Sequence, residues 1–110
     1  MCRALRVLCV AEDADSLALL RRAAVSAEWE LAPGATNESD AIGLIDSERP
    51  HTLVVFGPYE RLVALARERF PAMRIVADRD LPGATAVASS MEEVRGLVKA
   101  LPRPGGPVRS

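Results

Sequence analysis

The sequence predicts an α/β domain built on a five-stranded parallel sheet with helices on both faces. Three observations predict it. Short, uninterrupted apolar runs recur, as strands buried on both sides require. Between them, apolar residues fall at helical spacing. The two kinds of segment alternate as β-α-β-α-β-α-β-β-α, the pattern of a parallel sheet whose strands are joined by crossover helices. The chain has 110 residues, 49% of them hydrophobic, which suits one core and leaves no room for a second. Aromatics are only 4%, so that core must be aliphatic.

Arg6-Val7-Leu8-Cys9-Val10-Ala11 reads as the first strand, a partly β-branched run bounded by charge. Glu12-Asp13-Ala14-Asp15-Ser16 is an acidic helix start. Leu17, Leu19, Leu20, Ala23 and Ala24 follow at helical spacing, and the helix is expected to reach about residue 27. Residues 29–32 form a weak second strand, closed by Pro33-Gly34. Asn37-Glu38-Ser39-Asp40 opens a second helix with Ala41, Ile42, Leu44 and Ile45 inward, and Arg49-Pro50 stops it.

Thr52-Leu53-Val54-Val55-Phe56 is the clearest strand, ended by Gly57-Pro58. Residues 59–70 read as a third helix with Leu62, Val63, Leu65 and Ala66 inward, and Pro71 ends it. Residues 73–77 and 85–88 are the fourth and fifth strands. Only about seven residues, 78–84, join them, whereas a parallel crossover takes about a dozen or more. Either a helix is missing here or the fifth strand is antiparallel. Ser90 and Glu93 form a capping-box pair for a last helix, with Val94, Leu97, Val98 and Leu101 toward the core. The domain thus occupies residues 1–101. Residues 102–110, rich in Pro and Gly, are expected to be a disordered tail.

A net charge of −1 gives no bulk drive toward nucleic acid. No run of about 18 apolar residues marks a membrane span. Residues 1–6 faintly resemble a signal-peptide start, but the apolar run breaks at Glu12-Asp13 without a cleavage context. Cys2 and Cys9 do not form a disulfide framework, so a reducing cytoplasm is the expected location. Gly34, Gly43, Gly57 and Gly83 are isolated, and none opens a helix in a phosphate-binding pattern. No cofactor is expected.

In an open parallel sheet the functional crevice lies at the carboxyl ends of the strands. Those ends are 11–13, 56–57, 77–78 and 89–90. At this level the residues resemble a response-regulator receiver domain. Arg6-Val7-Leu8-Cys9-Val10-Ala11-Glu12-Asp13 resembles its first strand and acidic end, and Ala35-Thr36-Asn37-Glu38-Ser39-Asp40-Ala41 its lead into the second helix. Residues 48–56 resemble its approach to the phosphoacceptor. The resemblance spans about residues 5–101 and implies a flavodoxin-like three-layer fold. It also favours a parallel fifth strand with the preceding helix missing.

The departures from the receiver pattern are specific. The acidic pair that holds Mg²⁺ in receivers is reduced to Glu12, with Ala11 in the first place and Asp13 alongside. The phosphoacceptor position falls on Phe56, or on Gly57 if the register slips by one. The switch hydroxyl position is Ala77, and the lysine after the fifth strand falls near Ser89 or Ser90. Aspartyl phosphorylation needs a carboxylate nucleophile, a metal and an opposing cation. The resemblance therefore implies a degenerate, non-catalytic pseudo-receiver, a signalling module acting through a protein partner or self-association such as a dimer. Its phosphorylation pocket would comprise Ala11, Glu12, Asp13, Phe56, Gly57, Ala77, Asp78, Ser89 and Ser90, with Phe56 filling it.

Other readings are weaker. A small enzyme or ligand-binding protein on the same fold is the alternative, but no nucleophile stands paired with a base. His51 is the only histidine, follows Pro50 and reads as a loop residue; Ser89 and Ser90 are its partners only on paper. Glu12, Asp13 and Asp78 could bind a cation, against the plainer reading of helix-start and loop charge. No metal site is assigned. Cys9 reads as an inert core thiol, and Trp29 and Tyr59 as packing residues. Arg61, Arg67, Arg69 and Arg74 are diluted by Glu60 and Glu68, so a solvated helix face is expected rather than a basic patch. Direct DNA binding has no helix-turn-helix to support it.

Overall fold

The computed structural model describes residues 5–26 and 29–100. The elements are β1 (Leu5–Val10), α1 (Ala14–Ala24), β2 (Trp29–Leu31), α2 (Glu38–Glu48), β3 (Thr52–Val55), α3 (Glu60–Arg69), β4 (Arg74–Ala77), β5 (Ala86–Val87) and, after a 3₁₀ turn at Met91–Glu93, α4 (Val94–Ala100). The five strands make one sheet in the order β2-β1-β3-β4-β5, and every neighbouring pair is parallel. The expected class and topology are present, including the parallel fifth strand and the missing helix before it. The tail 102–110, Cys2 and Leu101 lie outside the described residues.

β3 is central, and all four of its residues are buried. Successive side chains of a strand point to opposite faces. Leu53 and Val55 join Leu8, Val10, Ile75 and Ala77 on the face covered by α2 and α3. Val54 joins Val7, Cys9 and Val76 on the face covered by α1 and α4. Burial on both faces is why these strands read as continuous apolar runs rather than alternating ones.

The starts of α1 and α2 are set by side chains that satisfy otherwise unpaired N–H groups. Asp13 accepts from the Ser16 N–H at 2.7 Å, and Asn37 accepts from the Asp40 N–H at 2.8 Å. α1 ends at Ala24, three residues short of the expected position. The buried Trp29 indole there donates to the Ala24 carbonyl at 2.8 Å, and Ser26 bridges back to Trp29. Leu20 and Ala24 face the core as expected, but Leu19 is exposed. A five-residue apolar set is wider than the stripe that one sheet face can cover. α2 ends on Arg49 in a left-handed conformation (φ 50°), followed by Pro50.

The capping box is a correction. Ser90 makes no side-chain cap, and the Glu93 carboxylate accepts from the Ser89 N–H at 2.9 Å. The carboxylate thus reaches one residue further back than the box pattern expects, across a first turn that is 3₁₀.

The short link between β4 and β5 lies directly on α3. Leu81 buries into the α2/α3 face. At Gly83 the backbone has φ +97°, and a Cβ would stand 3.4 Å from Val63 and 3.5 Å from Arg67. The Arg67 guanidinium donates to the Gly83 carbonyl from Nε (3.1 Å) and Nη2 (2.8 Å). It also donates to the Pro71 carbonyl (2.7 Å) and Thr85 Oγ1 (3.1 Å). One arginine thus ties the loop down where a helix would otherwise cover the sheet. Val87, on the edge strand, is left exposed.

Candidate functional site

β2 and β3 flank β1 on opposite sides, so the winding of the sheet reverses at β1. Such a reversal opens a crevice beyond the strands' carboxyl ends. Here it is a cleft of about 140 Å³ lined by Glu12, Ser16, Phe56, Gly57, Asp78 and Met91. Four of the expected residues, Glu12, Phe56, Gly57 and Asp78, are therefore brought together. Ala11 and Ala77 are fully buried where β1 and β4 end.

The remaining expected residues stand elsewhere. The Asp13 carboxylate is turned to its own helix; the Ser16 N–H, above all, holds it below the usual carboxylate range. Ser89 and Ser90 are exposed and do not line the cleft. The Ala88 N–H donates to the Ala77 carbonyl at 2.8 Å, and Met91 then supplies the wall.

Phe56 continues the β1–β3 pairing, its N–H donating to the Val10 carbonyl at 2.8 Å. Its half-buried ring packs against the apolar cluster of the α1/α4 face. It forms one wall and does not fill the cleft, contrary to expectation. Packing against that cluster draws the ring aside.

Gly57 turns the chain at φ +141° and is enclosed. A Cβ there would come within 2.8 Å of Glu12 Cγ and 2.9 Å of the Tyr59 ring. Its N–H donates to Asp78 Oδ1 at 3.2 Å. The Asp78 N–H donates to the Val55 carbonyl at 3.1 Å, fixing the start of the loop. Arg79 grips the same carboxylate in a fork, Nε to Oδ1 at 3.0 Å and Nη2 to Oδ2 at 3.1 Å. That hydrogen bonding, with the charge of Asp78 and then of Glu12, raises the Arg79 pKa.

Tyr59 was not legible as a site residue. Its hydroxyl stands 2.9 Å from the Ala11 carbonyl and 3.1 Å from the Thr36 carbonyl. One proton serves both acceptors, so the phenol clasps the end of β1 to the loop before α2. Burial, then the nearby Glu12 charge, pushes its pKa up. The spacing Gly57-Pro58-Tyr59 offered only a helix-start signal.

A divalent cation does not suit these residues. Only Glu12 and Asp78 present carboxylates to the cleft, and Asp78 is already engaged by Gly57 and Arg79. Among the described residues no group of three or more His, Cys, Asp or Glu could hold a metal ion. His51 lies at the opposite end of the sheet, where its Nδ1 accepts from the Arg6 N–H at 3.0 Å. Cys9 is buried, which pushes its thiol up to about 12. Of the arginines around α3, Arg67 is tied to the loop and Arg69 stands 3.9 Å from Asp46.

No protein-family model matches the sequence, and no curated protein sequence matches it. Solved structures do. A CheY-like response regulator receiver domain from Methanospirillum hungatei JF-1 superposes with TM-score 0.71 at 16% identity, over 88% of this chain and 92% of that one. The chemotaxis response regulator CheY4 of Vibrio cholerae gives 0.70 at 16%, over 90% and 100%. An orphan response regulator of H. pylori gives 0.70 at 12%, over 87% and 94%. The chain has the CheY-like receiver fold. At these identities the likeness concerns the fold, and the site must be read from its own residues.

Proposed function

We propose that this protein is a pseudo-receiver: a signalling module that is not phosphorylated on aspartate and acts through protein–protein contact. The observation that carries the reading is Phe56 at the carboxyl end of the central strand, with Ala11, Ala77 and Ser89–Ser90 at the neighbouring strand ends. A phenyl ring cannot accept a phosphoryl group, and neither can Gly57 beside it. No lysine stands among the cleft residues to oppose a phosphate. The degenerate pocket in this reading comprises Ala11, Glu12, Asp13, Phe56, Gly57, Ala77, Asp78, Ser89 and Ser90, and needs no cofactor.

The partner is a protein, or a second copy of this chain, rather than nucleic acid. The open β5 edge with its exposed Val87 supports a contact there. Among the described residues no helix is long and apolar enough to cross a membrane, in keeping with a cytoplasmic module. The cleft favours one second reading, a small-molecule binding protein or small enzyme on this fold. Size-exclusion chromatography with light scattering, with and without a small phosphodonor and Mg²⁺, tests the first reading. Assembly independent of the phosphodonor is expected. A phosphodonor-dependent change in mass overturns it.

A further inference from the structure

We infer that the protein has a second binding site, for a small organic acid with an apolar body, at the amino end of the sheet. The site is a cavity of about 150 Å³ where α2 and α3 end and β3 and β4 begin. It lies at the opposite end of the strands from the Glu12–Asp78 cleft, and the pseudo-receiver reading makes no use of it. Ile45, Pro50, Phe70 and Met73 give it apolar walls, with Arg49 and His51 alongside. A cavity of about this volume takes a body the size of a benzene ring.

The charge of the ligand follows from Arg49. Its backbone stands at φ 50° and ψ 59°, and among the described residues it is the one non-glycine residue with positive φ. Glycine is the residue that this helix-end conformation favours, so the backbone does not call for an arginine. The neighbouring carboxylates are engaged elsewhere. Glu48 accepts from Arg6 Nη1 at 3.0 Å, and Asp46 stands 3.9 Å from Arg69. Among the described residues no carboxylate pairs with Arg49. Carbonyls at the two helix ends, which would repel an anion, are already bonded. Ile45 accepts from the Arg49 N–H at 3.0 Å, and Ala66 from the Phe70 N–H at 2.8 Å. His51 Nδ1 accepts from the Arg6 N–H, so that ring serves as wall and Arg49 as the cation. A guanidinium beside an apolar hollow matches a carboxylate on a hydrocarbon body.

The test uses the full chain and benzoate, with benzyl alcohol as an uncharged molecule of similar size, read by backbone amide shifts. Benzoate is expected to shift Ile45, Arg49, Phe70 and Met73 saturably, with a Kd of roughly 1 mM, the scale for about nine heavy atoms. Benzyl alcohol should bind about fivefold more weakly, or less. Arg49→Gly, which suits the left-handed backbone, should keep the fold and weaken benzoate about fivefold, the size of one partly exposed charge contact. Arg49→Lys should stay within about twofold of wild type. Shifts that do not saturate at these residues, shifts confined to the Glu12–Asp78 cleft, or equal binding of the alcohol overturn the inference. So does an Arg49→Gly protein that changes only in its urea midpoint, the result if Arg49 serves the end of α2 alone. A phosphoryl adduct on aspartate would instead refute the pseudo-receiver reading and leave this site standing, so the two fail separately.

Discussion

Two glycine-to-alanine substitutions should move stability in opposite directions. At Gly57 the new methyl group would stand 2.8 Å from Glu12 Cγ and 2.9 Å from Tyr59 Cε2, on a backbone at φ +141°. The conformation alone costs about 1–3 kcal/mol for a non-glycine residue. Crowding adds about 1–3 kcal/mol where neighbours cannot move. Glu12 is exposed and can swing away, but the Tyr59 ring is held by its hydroxyl, so part of the crowding remains. Together the loss should be about 2–4 kcal/mol. At Gly43, inside α2, nothing lies within 4 Å of the added methyl. There alanine should stabilise by about 0.5–1 kcal/mol through helix propensity. In urea, with a slope of about 1.2 kcal/mol/M, Gly57→Ala should lower the midpoint by about 2–3 M and Gly43→Ala raise it by about 0.5 M. A Gly57→Ala midpoint within about 0.5 M of wild type would refute the claim that the cleft wall is closely packed around this turn.

Three further outcomes follow from the same structure. Leu20→Ala should cost about 2–5 kcal/mol in urea unfolding, while Leu19→Ala, on the exposed side of α1, should stay within about 0.5 kcal/mol of wild type. Asp13 has a folded pKa below its ordinary 3.8, so its stabilisation is full above that value and lost as pH falls through the folded value. The stability of Asp13→Asn should therefore be flatter than that of wild type across the acid limb, measured by urea midpoints at successive pH values. On a Cys2→Ser background, Cys9 should react with a thiol reagent at neutral pH only as fast as the protein opens, because burial pushes its thiol up to about 12. Rapid modification of the native protein would contradict that placement.

Much of the fold was legible because its signals are local. The doubly buried strands show as unbroken apolar runs, and Asp13 and Asn37 announce helix starts three residues ahead of their partners. The missing helix was legible as a connection too short to hold one. The site was legible only in part. Glu12, Phe56, Gly57 and Asp78 could be found because strand ends in a parallel sheet converge. Tyr59 and Arg67 could not, since the partners that define their roles, Ala11 and Thr36 for the one and Gly83 for the other, lie 16 to 48 residues away and are fixed by tertiary packing. Arg79 stood beside Asp78 in the sequence, but its fork depends on how the loop leaves β4. Leu19 misled because five apolar residues at helical spacing exceed what one face can bury. The Ser90–Glu93 box misled because the Glu93 carboxylate reaches past Ser90 to the Ser89 N–H.

The central claim is that this receiver fold carries no aspartyl phosphorylation. The direct measurement is intact-protein mass spectrometry after incubation with a small phosphodonor and Mg²⁺, with a phosphorylatable receiver in the same tube as internal standard. The account predicts that the standard gains one phosphoryl group and this chain gains none. A phosphoryl adduct on this chain that hydroxylamine removes would contradict it.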